Sequence, residues 1–448
     1  MEIKPNKQYN PQMHSEEHIL SQTMVRMFIC GKSFSNHIEK KKSNEIRSIF
    51  EFGNSELLHL LAQDIIEPLK KSYYDRWKEI IACSIVKTIQ PLPLRLIKSR
   101  WEKLHISQKI DASLSPNTLS EVLRDIGKDY ASQKEFFDEL MVDSKTLLFD
   151  LSSIFSYSEN LKYAEKGHNA DHLYLKQINF MLFFSMDKQL PVLLKPLPGS
   201  VRDVKALRAV VDEVNAKDST VVIDRGFASQ VIPDLLIEFD FNFILPLRRN
   251  FIDIDYDRRL DYIFSYRKRG IKWGRKRIGA NFLYLFEDVK LRAEEETTFI
   301  HLMNEKKRTT EVYKEESQKF GKIAILSNRD EGGETIYLMW KDRENIEAAF
   351  DALKNELEND KTYLDDDDAV RGYFFISFLS LYFYYKILNL LRKAKLVEKV
   401  SVNEVLLELS KVYEINLGEK RKLSEIPNKV EKLAESLGID IFPKKLRS

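Results

Sequence analysis

From residue 145 the chain changes texture, and the order of its segments there restricts the fold more than any other feature. KTLLFDLSSIFSYS, QINFMLFFSM and PVLLKPLPG are rich in aromatic and β-branched residues. SVRDVKALRAVVDEVNAKD then carries apolar residues at helical spacing, and STVVIDRGF reads as a short buried strand with a turn. ASQVIPDLLIEF reads as a second helix and FNFILPL as a further strand. The order is βββ-α-β-α-β. Three strands able to form a meander, followed by alternating helices and strands, predict a mixed α/β sheet.

The flanks read differently. Residues 1–140 are predicted helical, on segments such as SNEIRSIFEF, ELLHLLAQDIIEPLKKSYYDRWKEIIACSIVKTI and PLRLIKSRWEKL. In LSPNTLSEVLRDIGKDY, Ser115 can cap a helix and Pro116 suits its first position. Leu119, Val122, Leu123 and Ile126 then follow the i, i+3, i+4, i+7 rule, which suits a helix-turn-helix-like module. Residues 248–338 interrupt the alternation with NFLYLFEDVKL, TTFIHLM, KIAILSN and ETIYLMW, read as short strands of a β-rich insertion. A helix over residues 340–357 resumes the sheet domain, DDDD at 365–368 reads as a solvated loop, and residues 395–448 read as a polar helical tail.

Bulk properties narrow the function classes. The chain has 448 residues, 43% of them hydrophobic and 31% charged, which marks a folded protein long enough for several domains. A net charge of only +2 does not itself demand a polyanionic partner, so any nucleic-acid surface must come from local clustering. Cys30 and Cys83 lack metal spacing and form no disulfide framework, the expected usage of a reduced, cytoplasmic protein. MEIKPNKQYN has no apolar core of a signal peptide. In GYFFISFLSLYFYYKILNLL, residues 372–391, only fourteen uncharged residues precede Lys386, which predicts a buried core helix instead of a membrane span.

Three acids stand out by position. Asp150 ends the apolar run LLFD in the first strand, Asp224 ends VVID in the fourth, and Glu347 lies on the returning helix. An acid at the end of a buried strand costs desolvation energy unless it is paired. Two such strands in one sheet suit a shared cation, and carboxylate oxygens are the preferred ligands of Mg²⁺ or Mn²⁺. On a continuous helix, Arg343, Glu347 and Lys354 share a stripe roughly 40° wide beside the apolar face formed by Ile346, Phe350, Leu353 and Leu357. An exposed ion pair is the simpler reading of that stripe taken alone. Elsewhere, RRLDYIFSYRKRGIKWGRKR, residues 258–277, holds nine basic residues and one acid, with Tyr262, Phe264, Tyr266 and Trp273 interleaved. That texture suits either a backbone groove with stacking contacts or a hairpin with a solvated basic face. His168 and His172, in KGHNADH, have a spacing that binds metal on a helix, but their Gly/Asn/Asp setting reads as a polar loop.

The trio of acids on a first strand, a fourth strand and a later helix resembles the ribonuclease H-like fold of DDE nucleases and transposases. Trp340-x2-Arg343-x3-Glu347-x6-Lys354 is similar to the Y-x2-R-x3-E-x6-K signature of insertion-sequence transposases of the IS-four group, with tryptophan in place of tyrosine. DLSSIFSYS, PLPGSVRDVKAL, VVIDRGFAS, LPLRRN and IEAAFDALK resemble the same family, over roughly residues 80–390. The resemblance implies a helical N-terminal DNA-binding and dimerisation region (1–140), a catalytic domain in two parts (141–247 and 339–394), a β-rich insertion domain (248–338) and a helical tail (395–448). It implies a metal-binding triad of Asp150, Asp224 and Glu347 holding two Mg²⁺ or Mn²⁺ ions. Trp340, Arg343 and Lys354 would contact the transposon end. Trp273 would hold a flipped base, with Arg267, Lys268, Arg269, Arg275, Lys276 and Arg277 on the DNA backbone. The implied partners are double-stranded DNA with terminal inverted repeats, target DNA and a second copy of the chain, in a prokaryotic cytoplasm. A nuclease without strand transfer and a silent DNA-binding derivative are the alternatives. An aspartyl phosphatase is disfavoured, because DLSSI lacks the second acid of D-x-D-x-T.

Overall fold

A computed structural model describes residues 46–448 apart from 168–174, 202, 212–213, 215, 360, 363, 419, 444–445 and 447–448. Cys30, His168 and His172 lie outside the described residues.

The first described segment departs from expectation. SIFE forms β1 (Ser48–Glu51), which pairs antiparallel with β13 (Tyr413–Asn416), itself paired with β14 (Arg421–Leu423). Helical spacing over so few residues is ambiguous, and a partner strand far along the chain decided the outcome. The tail is therefore partly β, closed by α14 (Val402–Leu409) and α15 (Asn428–Ser436). Between β1 and the main sheet lie α1 (Gly53–Leu61), α2 (Gln63–Ser72), α3 (Trp77–Ile89), α4 (Leu94–Trp101), α5 (Pro116–Lys128) and α6 (Tyr130–Met141). Ser115 caps α5 as expected, its Oγ accepting from the Thr118 amide at 3.1 Å, and Leu119, Val122, Leu123 and Ile126 are buried. Residues 102–115 separate α4 from α5, so these two are not joined by the short turn of a helix-turn-helix.

The main sheet follows the predicted order. It is built from β2 (Thr146–Ser156), the two-residue β3 (Glu165–Lys166), β4 (Lys176–Ser185), β5 (Leu190–Pro198), α7 (Asp203–Val211), β6 (Thr220–Ile223), α8 (Val231–Glu238) and β7 (Asn242–Pro246). In space the strands run β5-β4-β2-β6-β7. The first two pairings are antiparallel and the last two parallel.

Residues 248–338 hold more helix than their aromatic content predicts. β8 (Tyr262–Tyr266), β9 (Arg269–Ile278) and β10 (Asn281–Asp288) are followed by α9 (Val289–Asn304), α10 (Thr310–Glu316), β11 (Lys322–Ser327) and α11 (Gly333–Lys341). TTFIHLM is helical within α9, which Asp288 starts by accepting from the Lys290 and Leu291 amides at 3.0 Å each. ETIYLMW is α11, with Ile336 and Tyr337 buried beneath it. In α9 the Asp288 cap and buried Phe299, and in α11 the burial of Ile336 and Tyr337, outweigh β-propensity. The strands of this segment also join the main sheet, because β11 pairs with both β7 and β10 and the order continues β7-β11-β10-β9-β8.

The helix foreseen over 340–357 is broken. α12 (Glu344–Asp351) follows α11 after Asp342 and Arg343, and a π turn occupies Ala352–Glu356. The Asn345 side-chain amide donates to the Asp342 carbonyl at 2.9 Å, where a continuous helix would place backbone bonds. After the short β12 (Lys361–Thr362), α13 (Asp367–Lys393) forms the central helix, packed on α5, α3 and β5. It is long and apolar enough to cross a membrane, and 72% of its most apolar window is buried inside the protein. The four aspartates at its start, of which Asp367 and Asp368 belong to the helix itself and not to a loop, are engaged. Asp365 accepts from Ser158 Oγ at 2.8 Å, Asp366 caps α13, Asp367 accepts from the Lys162 and Tyr163 amides, and Asp368 pairs with Arg371.

Candidate active site

β2 and β6 run parallel in register from Thr146↔Thr220 to Phe149↔Ile223, so the residues that follow, Asp150 and Asp224, come side by side at one end of the pair. Asp150 does not end its strand as expected. β2 continues to Ser156 because β4 goes on pairing with it, Asp150 standing opposite Leu182. β6 does stop, and Asp224 turns the chain into a 3₁₀ turn over Arg225–Phe227, its Oδ1 accepting from the Arg225 amide at 2.6 Å.

Burial pushes the Asp150 carboxyl up to about 7. The Leu151 amide at 2.8 Å and Arg343 act against this, while Asp224 and Glu347 add to it. All three acids and Arg343 are therefore electrostatic neighbours. Glu347 enters from the first turn of α12, which docks through buried Ile346, Ala349 and Phe350, the last edge-on to Phe180 of β4 at 5.5 Å. Arg343 stands at the break before α12 and joins two of the acids. Its Nη1 lies 2.7 Å from Asp224 Oδ1 and its Nη2 2.7 Å from Glu347 Oε1.

Among the described residues, no three His, Cys, Asp or Glu side chains converge closely enough to hold a metal ion. The guanidinium lies between two of the three carboxylates instead. The donor set still fits a hard divalent cation. Three carboxylates supply only oxygen ligands, the donor type such a cation prefers.

A cleft of about 280 Å³ opens beside this group, lined by Asp224, Arg225, Arg249, Tyr256, Lys322, Trp340 and Arg343 among others. Trp340 meets Tyr337 edge-on at 5.4 Å, with the Lys341 ammonium 4.7 Å from its ring centre. Arg249, Tyr256 and Lys322 escaped the sequence reading. The only signal was LPLRRN, and nothing local shows that β7 and β11 bring Arg249 and Lys322 to one wall. Lys354 lies on the π turn, its ammonium 5.8 Å from the Phe180 ring centre.

The basic segment resolves largely into internal ion pairs. Arg267 pairs with Glu344, Arg269 with Asp288, Lys272 with Glu287 and Arg275 with Asp330. Arg277 donates to the Gly279 carbonyl, Lys276 stands between Arg275 and Arg277 on β9, and Lys268 lies at the β8–β9 turn with φ +63°. The interleaved aromatics follow strand alternation and gather on one sheet face. Phe264 and Tyr266 meet Tyr337 of α11 edge-on. Trp273 stacks on Tyr262 at 4.5 Å, and Gly333 packs so tightly on the indole that a Cβ there would come within 2.2 Å of a ring carbon. Trp273 is thus half-buried and packed against Tyr262 and Gly333 in this structure.

No curated protein matches this chain. Among solved structures, the piggyBac transposase synaptic complex with hairpin DNA shares 12% identity with a TM-score of 0.42, covering 89% of this chain and 87% of that one. The Mos1 transposase paired-end complex with left transposon end shares 11% identity with a TM-score of 0.17, covering 53% and 68%. The family profile described as "Transposase DDE domain" matches residues 136–383, more than half of the chain, and spans all three acids. The chain belongs to the transposase DDE domain family.

Proposed function

We propose that this protein is a DNA transposase of the IS-four type that cuts and rejoins phosphodiester bonds at transposon ends. The observation that supports this reading is that strand register sets Asp150 beside Asp224 while Arg343 bridges Asp224 to Glu347. The sheet order β5-β4-β2-β6-β7, with two antiparallel and two parallel pairings, supports a ribonuclease H-like catalytic core. Asp150, Asp224 and Glu347 would hold Mg²⁺ or Mn²⁺, two ions per site, and a bound divalent ion would activate the attacking hydroxyl and stabilise the leaving oxygen.

The chain's own residues do the rest. Arg225 would offer an exposed charge to the DNA backbone beside the acids, in a cleft also lined by Lys322 and by Arg249, which pairs with Glu295. Arg343 provides a planar fork suited to a phosphate, and Trp340 an aromatic wall next to it. Lys354 would add a further backbone contact. Water attacks first to release a 3′-hydroxyl, which then attacks the second strand or target DNA. Two protomers would pair two ends bearing terminal inverted repeats.

The test is Mg²⁺- or Mn²⁺-dependent cleavage and joining on DNA carrying the element's own terminal repeats. Joined product is expected from the wild type. Asp150→Asn, Asp224→Asn and Glu347→Gln should abolish chemistry and keep end binding. Full cleavage by any of the three would sink the triad assignment. Cleavage without joining would indicate a nuclease, and binding without chemistry a silent derivative.

A further inference from the structure

Arg343 sits where a metal ligand set needs its cation. Its two terminal nitrogens each lie 2.7 Å from a different acid, Asp224 at the end of β6 and Glu347 in the first turn of α12. The acids come from separate elements, and the guanidinium bridges them. The residue itself is free to act differently. It occupies the break before α12 with φ −54° and ψ −27°, and its side chain makes no cap bond that α12 requires. The same side chain lines the cleft with exposed Arg225, with Lys322, and with Arg249, which pairs with Glu295 at 2.7 Å. One arginine therefore has two sets of partners within its reach: carboxylates on one side, and a phosphate drawn into the cleft on the other.

We propose that Arg343 is a positioning residue that couples divalent-cation binding to DNA-phosphate binding. In the free protein its guanidinium neutralises Asp224 and Glu347 and competes with a divalent cation for them. A phosphate oxygen in the cleft draws the guanidinium off the acids, and the cation takes its place. Coupling of this kind is reciprocal, so a bound cation strengthens phosphate binding by the same factor. The site stays closed to metal until DNA arrives, which limits cleavage away from a docked end. This inference rests on the reading of the three acids as a metal set.

The test is Mn²⁺ binding to the full chain, followed by the electron paramagnetic resonance of free Mn²⁺. It is run with no DNA and then with a duplex of arbitrary sequence, after subtracting the Mn²⁺ held by the duplex alone. Without DNA, Arg343→Gln should bind Mn²⁺ roughly tenfold more tightly than the wild type, and Arg343→Lys, whose single ammonium cannot bridge both acids, should fall between the two. The duplex should tighten Mn²⁺ binding several-fold in the wild type and leave Arg343→Gln unchanged. Asp224→Asn should remove the gain in the Arg343→Gln background. Equal affinity in the wild type and Arg343→Gln overturns the coupling while leaving the metal reading intact. A gain that survives Asp224→Asn overturns it too, since the ion would be binding elsewhere. Absence of Mn²⁺ binding in every protein, with or without duplex, overturns the metal reading and the coupling with it.

Discussion

Asp150 and Asp224 are neighbours because Phe149 and Ile223 pair in register on parallel strands. Two carboxylates at the same end of adjacent strands repel each other, and Asp150 is the more enclosed. Burial, before any other cause, pushes its carboxyl up to about 7.

Stability should therefore depend on pH through Asp150. The folded value lies near 7 and the unfolded value near about 3.9. Between these, the folded state holds more protons than the unfolded state, so stability falls as pH rises from about 4 through about 7. The loss should amount to roughly 1–3 kcal/mol in metal-free buffer, less than the full linkage value because nearby groups relax. Asp150→Asn lacks it. Thermal unfolding with a chelator present should show the variant gaining on the wild type between pH 5 and pH 8. A pH-independent difference would rule out this assignment.

Helices α5 and α13 touch through two glycines. A Cβ on Gly127 would come within 1.8 Å of the Asp368 carbonyl oxygen, and one on Gly372 within 2.0 Å of the Leu123 carbonyl oxygen. Both obstacles are backbone, so the helices must separate. Gly127→Ala and Gly372→Ala should each cost at least about 2 kcal/mol in urea unfolding. Gly332→Ala, with nothing within 4 Å of the added carbon, should stay within about 0.5 kcal/mol.

Trp273 should behave as a packing residue. Removing the indole leaves Tyr262, Tyr284 and Phe286 without their shared neighbour. Trp273→Ala should lose about 2–4 kcal/mol of stability, and Trp273→Phe clearly less. Unchanged unfolding together with weakened end binding would return Trp273 to the DNA.

The salt dependence of DNA binding should separate cations that contact phosphate from cations that do not. Arg225 is exposed on the wall of the cleft, whereas Lys272 already pairs with Glu287 at 3.2 Å. Arg225→Ala and Lys354→Ala should each lower the slope of log affinity against log salt by roughly one. Lys272→Ala should leave it unchanged. Fluorescence anisotropy over a KCl series measures all three, and equal slopes throughout would contradict the phosphate contacts.

The sequence by itself determined the sheet's order and the acids on it. Strand texture, the helix between strands, and LLFD and VVID are local patterns, and local patterns survive translation into structure. The Ser115 cap was legible for the same reason, since a cap needs only its own first turn. What it could not determine was anything requiring a distant partner. SIFE became a strand because Tyr413–Asn416 lay beside it, and TTFIHLM became a helix because the Asp288 cap and the burial of Phe299 outweighed its β-branched residues. The basic run looked like an open DNA surface until Glu344, Asp288, Glu287 and Asp330 arrived from other elements to neutralise four of its cations. The stripe of Arg343, Glu347 and Lys354 assumed one straight helix, and the break at Asp342–Arg343 and the π turn altered it. Only the tertiary structure turned Arg343 toward Asp224, because charge pairing depends on distance in space, and spacing along a chain does not encode that.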